Sequence, residues 1–247
     1  MLRIVICLAL LTSVAHAGAI LNTLQSSGDG DPGWSGGLDG MFSGSGGNTE
    51  KILVEAGGSV QFRGTASRLR LQISGGYEES RRAVTARNVV AHLRHNRDLG
   101  AGWATVTFGQ VQSNPFQRLS SRVLAGMGVR RRFGNDADHR LTLGVTPMLE
   151  SERLEHEDGH LARGRLSTFL TLSQRLTAAT TVSAMGFWQP LFSDLADARA
   201  VGNLTVITDL TGNVSLKIGA AVEHDSRPAD GVEKTDWNSY AGVGVTF

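Results

Sequence analysis

The chain has 247 residues, with 24 Lys and Arg against 23 Asp and Glu and a formal net charge of +1 at pH 7. Charge this evenly balanced excludes the concentrated basic face that nucleic-acid binding needs, so no nucleic-acid partner is expected. The single cysteine, Cys7, sits in the opening apolar run, which leaves the rest of the chain without a disulfide framework or thiolate chemistry.

Chain order begins with an export signal. Arg3 supplies a positive start, Ile4 to Leu11 form an apolar run, and Ala15-His16-Ala17 gives an A-x-A cleavage site before Gly18. Residues 1–17 are therefore expected to be a secretory signal peptide, too short in its apolar core to span a bilayer. Losing Arg3 leaves 23 basic against 23 acidic residues. Residues 18–33 are polar and glycine-rich and are expected to be a short periplasmic tail. Residues 34–247 are expected to form one domain.

From Trp34 onward the sequence alternates. Trp34, Gly36, Leu38, Gly40 and Phe42 share one face of a first strand, with Asp39 on the other; Ile52, Val54, Ala56, Val60 and Phe62 follow suit opposite Glu55 and Gln61. A turn pivoting at Gly47 pairs Leu38 with Ala56 and Gly40 with Val54, which aligns the apolar faces and sets Asp39 opposite Glu55. Leu69, Leu71, Ile73 and Tyr77 then oppose Arg68, Arg70, Gln72 and Glu78, and Val214, Leu216, Ile218 and Val222 oppose Ser215, Lys217, Glu223 and Asp225. Twelve such segments start near residues 34, 50, 67, 83, 103, 121, 140, 164, 180, 198, 213 and 235.

The connections alternate as well. Gly64-Thr65-Ala66, Asp98-Leu99-Gly100, Gly134-Asn135-Asp136, Thr177-Ala178-Ala179 and Thr211-Gly212 are turn-like, whereas the stretches 78–83, 113–120, 153–163, 190–197 and 227–234 read as longer, charged loops. Aromatics collect at the segment ends, with Trp34, Phe62, Phe133 and Phe247 on the short-turn rim and Phe42, Tyr77, Trp188 and Trp237 on the other. Export, an even strand count, asymmetric rims and two aromatic girdles together predict an all-β protein, a transmembrane antiparallel up-and-down β-barrel of about 12 strands. Its place is the outer membrane of a Gram-negative bacterium, in a lipid bilayer with lipopolysaccharide. The last strand alternates Trp237, Ala241, Val243, Val245 and Phe247, which resembles the signal read by the bacterial barrel-assembly machinery.

Several stretches carry a family resemblance. They are Gly46-Gly47-Asn48-Thr49, Pro115-Phe116-Gln117-Arg118-Leu119 with Arg122, Gly126 and Gly128, Trp188-Gln189-Pro190, and Glu223-His224-Asp225-Ser226-Arg227-Pro228 with Lys234-Thr235-Asp236. In order and spacing they resemble the YdiY-like family, a domain of unknown function often labelled a salt-induced outer-membrane protein. The resemblance implies the barrel and its location and assigns no catalytic residue.

Function is then sought in the lumen. Asp39, Glu55, Arg122, Glu150, Lys217 and Glu223 face inward on the expected register, with Arg165 and Asp225 beside them. Two acids directly across an antiparallel pair repel, so Asp39 and Glu55 need Lys217, Arg122, water or a shared proton to compensate. They mark either a cation-attracting constriction or a structural ion-pair network. Charge also separates along the barrel: Arg63, Arg68, Arg130, Arg132, Arg140 and Arg175 cluster near the short-turn rim and Glu78, Glu150, Glu152, Glu155, Glu157 and Asp158 near the long loops, a gradient that steers ions, binds a periplasmic anion or simply solvates two wet rims. A narrow pore for ions or small solutes, induced by envelope or salt stress, is the expected role; a non-conducting barrel acting through its outer loops is the alternative. His156-Glu157-Asp158-Gly159-His160 matches the H-E-x-x-H zinc pattern, but Asp-Gly is a turn signal and the motif needs a helix. A lipid hydrolase using His92 or His224 is the remote alternative, with no serine nucleophile assigned to either, and neither a metal nor a cofactor is expected.

Overall fold

The computed structural model describes residues 32–45, 51–134, 138–155 and 159–247. The expected signal peptide at 1–17, nearly all of the 18–33 segment, the Gly46-Gly47-Asn48 turn and His156 lie outside the described residues.

Twelve strands run in chain order: β1 (Gly33–Ser45), β2 (Lys51–Arg63), β3 (Ser67–Ser80), β4 (Ala83–Gly100), β5 (Trp103–Asn114), β6 (Leu119–Phe133), β7 (His139–Leu154), β8 (Leu161–Arg175), β9 (Thr180–Pro190), β10 (Ala198–Asp209), β11 (Val214–Asp225) and β12 (Thr235–Thr246). Each pairs antiparallel with its sequence neighbours, and β1 pairs with β12 to close the barrel. Closure leaves no free sheet edge, which is what allows strands to sit in hydrocarbon. Every strand starts within three residues of the position the alternation predicts.

The barrel is apolar outside and polar within. Leu38, Leu71, Leu93, Val123, Leu149, Leu170 and Ile218 are exposed on the wall, while Gln61, Arg70, His92, Gln110, Arg122, Glu150 and Arg165 are buried in the lumen. Period-two alternation produces this because each strand sends successive side chains to opposite faces. The eight expected girdle aromatics are all exposed, from Trp34 at 73% to Tyr77 at 37%. Trp103 also faces outward, with the Arg131 guanidinium 5.3 Å from its ring centroid and 5.0 Å from that of Phe133. Phe247 lies against Gly36 and exchanges two backbone hydrogen bonds with it, at 3.1 and 3.2 Å.

Two expectations change. The first hairpin pairs Leu38 with Gly58, Asp39 with Gly57 and Met41 with Glu55. This is two residues from the expected register, so Asp39 and Glu55 are not direct partners; an even slip keeps every side chain on its face, and the hydrophobic pattern cannot detect it. The charged stretch at 78–83 is mostly strand: β3 and β4 join through Arg81 and Arg82 alone, with φ of 50° and 62°. Positive φ at both positions is the geometry of a type I′ two-residue hairpin.

The β1–β12 seam is short. Four residues pair across it, Gly37 to Gly40 with Thr246 to Val243, whereas β1–β2 pairs thirteen.

Candidate functional site: a half-filled lumen

The interior divides into three zones. At the long-loop end lies an ionic lattice centred on Glu150 of β7, whose side chain is fully buried. Arg122 of β6 donates to Glu150 Oε2 at 2.6 Å, Arg199 of β10 at 2.7 Å, and Arg165 of β8 lies 3.2 Å from the same carboxylate. Arg199 also donates to Glu152 at 2.8 Å and to Asp225 of β11 at 2.7 Å; Arg165 donates to Asp197 at 3.0 Å and to the Gln189 carbonyl at 3.0 Å. Direct cross-strand partners here carry opposite charge: Arg122 faces Glu152, Glu150 faces Arg163, and Arg199 faces Asp225. The link from Arg199 to Glu150 joins β10 to β7 through the lumen rather than along the sheet. Above it, Arg227 donates to Asp194 at 2.7 Å. The Ala196 amide and then Arg227 hold the Asp194 carboxyl below its usual value.

The second zone fills the lumen beside β4–β10. His92 stacks on Phe108 with ring centroids 5.5 Å apart and shares a 2.9 Å hydrogen bond with Gln110. Arg94 reaches from β4 to lie 5.2 Å over the Phe169 ring of β8, and Phe169 meets Phe187 at 5.6 Å. The Phe169 ring lies flat on Gly144, where any Cβ would overlap it. Apolar side chains on the lumen face make this part a packed core, as in smaller barrels.

The third zone is hollow. A cavity of about 260 Å³ runs along the wall of β1–β3 and β10–β12, lined by Asp39, Glu55, Asn203, Lys217, Glu223 and Tyr240 among glycines. Lys217 forms an ion pair with Asp39. That pair passes over Gly244 of β12, where an added Cβ would stand 2.9 Å from Asp39 Oδ1 and 3.0 Å from Lys217 Nζ. It thus ties β1 to β11 across the short seam. A vestibule of about 510 Å³ opens at the long-loop end, and Val201 and Glu223 line both spaces.

The six expected lumen residues therefore separate. Asp39, Glu55, Lys217 and Glu223 line the hollow side, while Arg122 and Glu150 belong to the lattice. Lys217 compensates Asp39, as one of the anticipated arrangements has it, and Arg122 serves Glu150 instead. Arg199 and Asp197 were missed; Arg199 has the inward parity of its strand, but nothing in sequence links it to a carboxylate 49 residues away. His160 is exposed in the loop between β7 and β8. His92 is committed to Phe108 and Gln110, and His224 at the rim shares a 2.8 Å hydrogen bond with Thr235.

The sequence matches the family model described as "Protein of unknown function, DUF481" over residues 40–247. No curated protein matches it. Among solved structures the barrel is similar to the NanC porin, with TM-score 0.53, 11% identity, and coverage of 85% of this chain and 98% of that one. It also matches the KdgM porin (TM-score 0.47, 11% identity, 87% and 99% covered). The translocator domain of autotransporter NalP from Neisseria meningitidis is a third (0.48, 11%, 89% and 89%). The first of these likenesses bears on the fold alone, that of a closed transmembrane-type β-barrel.

Proposed function

The chain belongs to the DUF481 family, and we propose that this member is a narrow, eccentric pore of the Gram-negative outer membrane that passes ions or small solutes. The observation that carries this is the adjacency of the two spaces on the hollow side: vestibule and inner cavity share Val201 and Glu223 in their linings. Asp39, Glu55, Glu223 and Lys217 are the charged groups that line that cavity. Carboxylates along a lumen with low-dielectric walls favour cations over anions. The exposed apolar wall and its aromatic girdles support a bilayer bearing lipopolysaccharide as the surroundings. Export through a leader at 1–17 and assembly through Val243, Val245 and Phe247 complete this reading.

The test is conductance of the folded, purified protein in planar bilayers. Small discrete openings are expected, and Asp39→Asn, Glu55→Gln and Glu223→Gln should each move the reversal potential toward anion permeation. A second reading is favoured by one observation, the lattice from β6 to β11 that crosses the lumen. It makes the barrel a closed scaffold acting through its loops. A folded protein that never conducts would sink the pore and leave the scaffold standing.

A further inference from the structure

The short-turn half of the outer wall carries cationic side chains on one side only. On β4, β5 and β6 the odd-numbered residues face outward, as the exposed Leu93, Val111 and Val123 show. On that parity Arg97 of β4 and Arg131 of β6 point out of the barrel near the short turns, and both are exposed. Among the described residues no other strand carries an arginine or lysine on the outward face of its short-turn half. A charge on the lipid face is destabilising in a depth-dependent way, so two of them on one side of the wall call for a compensating group.

The wall supplies aromatic rings there and no carboxylate. The Arg131 guanidinium is held between Trp103 and Phe133, 5.3 and 5.0 Å from their ring centroids, contacts that orient its plane and leave N–H edges for an oxyanion. Among the described residues neither Arg97 nor Arg131 has an ion-pair partner. Register sets the two arginines on either side of β5: Trp103 pairs with Arg131, and the next outward residue, Thr105, pairs with Arg97. Two strand spacings, about 10 Å, separate β4 from β6, a gap that two extended arginine side chains close over one phosphate. Beyond Trp103 the outward residues of β5 are small, Thr105, Thr107 and Gly109, while Leu93 and Met127 stand exposed on the strands at either side. The result is a shallow furrow leading from the arginine pair toward the middle of the wall. At Gly109 an added Cβ would meet nothing closer than the Leu124 carbonyl oxygen at 3.9 Å.

We propose that Arg97, Arg131 and Trp103 bind the headgroup of an anionic phospholipid, with one acyl chain lying in the furrow over β5. Guanidinium stays charged and offers paired N–H donors to phosphate oxygens, and a tryptophan at headgroup depth adds its indole N–H. Two guanidiniums without a carboxylate favour a lipid whose phosphate charge is not neutralised by an amine of its own. The short turns of outer-membrane barrels face the periplasm, so the lipid belongs to the periplasmic leaflet. The site rests on the barrel's place in a bilayer and not on conduction, so a protein that never conducts leaves it standing.

The probe is phosphatidylglycerol, added to the folded barrel in detergent and counted by native mass spectrometry beside phosphatidylcholine with the same chains. Phosphatidylglycerol should be retained about tenfold more tightly or better, through charge-assisted hydrogen bonds. Arg97→Gln combined with Arg131→Gln should abolish that preference. Arg87→Gln, exposed on the same face of β4 at the opposite rim, should leave it intact. Gly109→Leu fills the furrow without changing charge and should weaken retention of phosphatidylglycerol. Glycerol phosphate, a headgroup without chains, should compete poorly. Equal retention of the two lipids, an undiminished preference in the folded double variant, or full competition by glycerol phosphate would overturn the site. Should the double variant fail to fold, Gly109→Leu decides, and unchanged retention by that chain sinks the proposal.

Discussion

Replacing Glu150 by glutamine tests the lattice most directly. The change keeps shape and removes one charge from the centre of three guanidiniums, at 2.6, 2.7 and 3.2 Å. A unit-charge pair 4 Å apart is worth about 4 kcal/mol at an effective dielectric constant of 20. Three such attractions are lost, but the desolvation cost of a carboxylate that is 0% exposed is recovered. Removing one partner of a buried ion pair costs about 3–5 kcal/mol net, because the remaining charges stay buried. The same change at Asp39, whose side chain is 50% exposed in its pair with Lys217, should cost only about 0–1 kcal/mol. Urea unfolding in micelles, followed by the fluorescence of Trp34, Trp103, Trp188 and Trp237, measures both. A Glu150→Gln loss below about 1 kcal/mol, equal to that of Asp39→Asn, would refute the view that burial makes the lattice structural. A double-mutant cycle with Arg199→Gln should then show coupling well above that of a surface pair.

Leu93→Arg places a charge on the outer wall of β4, at a residue 48% exposed. It should destabilise the barrel by about 2–4 kcal/mol in phospholipid vesicles, and a neutral outcome there would argue that this wall faces water. Gly144→Ala drives a methyl group into the Phe169 ring and should cost about 1–3 kcal/mol by overpacking; an unchanged urea midpoint would mean the ring is not seated as described. The short seam predicts faster amide exchange in residues 235–242 of β12 than in residues 89–97 of β4, which pair on both sides. Equal protection of the two would show the seam to be as firmly closed as the rest of the wall.

Strand number, strand starts and the sense of each face were legible because all three depend on neighbouring residues only. Alternation of Leu69, Leu71 and Ile73 against Arg68, Arg70 and Gln72 needs no partner to be read. Register was less legible. The Gly47 pivot misplaced Asp39 by two residues, since β1 and β2 bury the same face at either register. Loop lengths failed where charge was taken for loop: β3 continues through Glu78 because a lumen tolerates that inward charge, and Glu79 follows on the outer face beside Tyr77.

What the lumen does depends on contacts that no strand-neighbour rule reaches. Arg199 finds Glu150 three strands away, and Arg94 finds Phe169 four strands away. Those reaches are set by barrel closure, which fixes which inward side chains meet across the interior. They also explain why equal totals of charge produced unlike ends. With opposite signs paired across strands, as Arg122 faces Glu152 and Arg199 faces Asp225, charge is consumed in holding the wall together. Where like signs pair, as Arg70 faces Arg94, groups from elsewhere hold the charges in place, Gln61 for Arg70 and the Phe169 ring of β8 for Arg94.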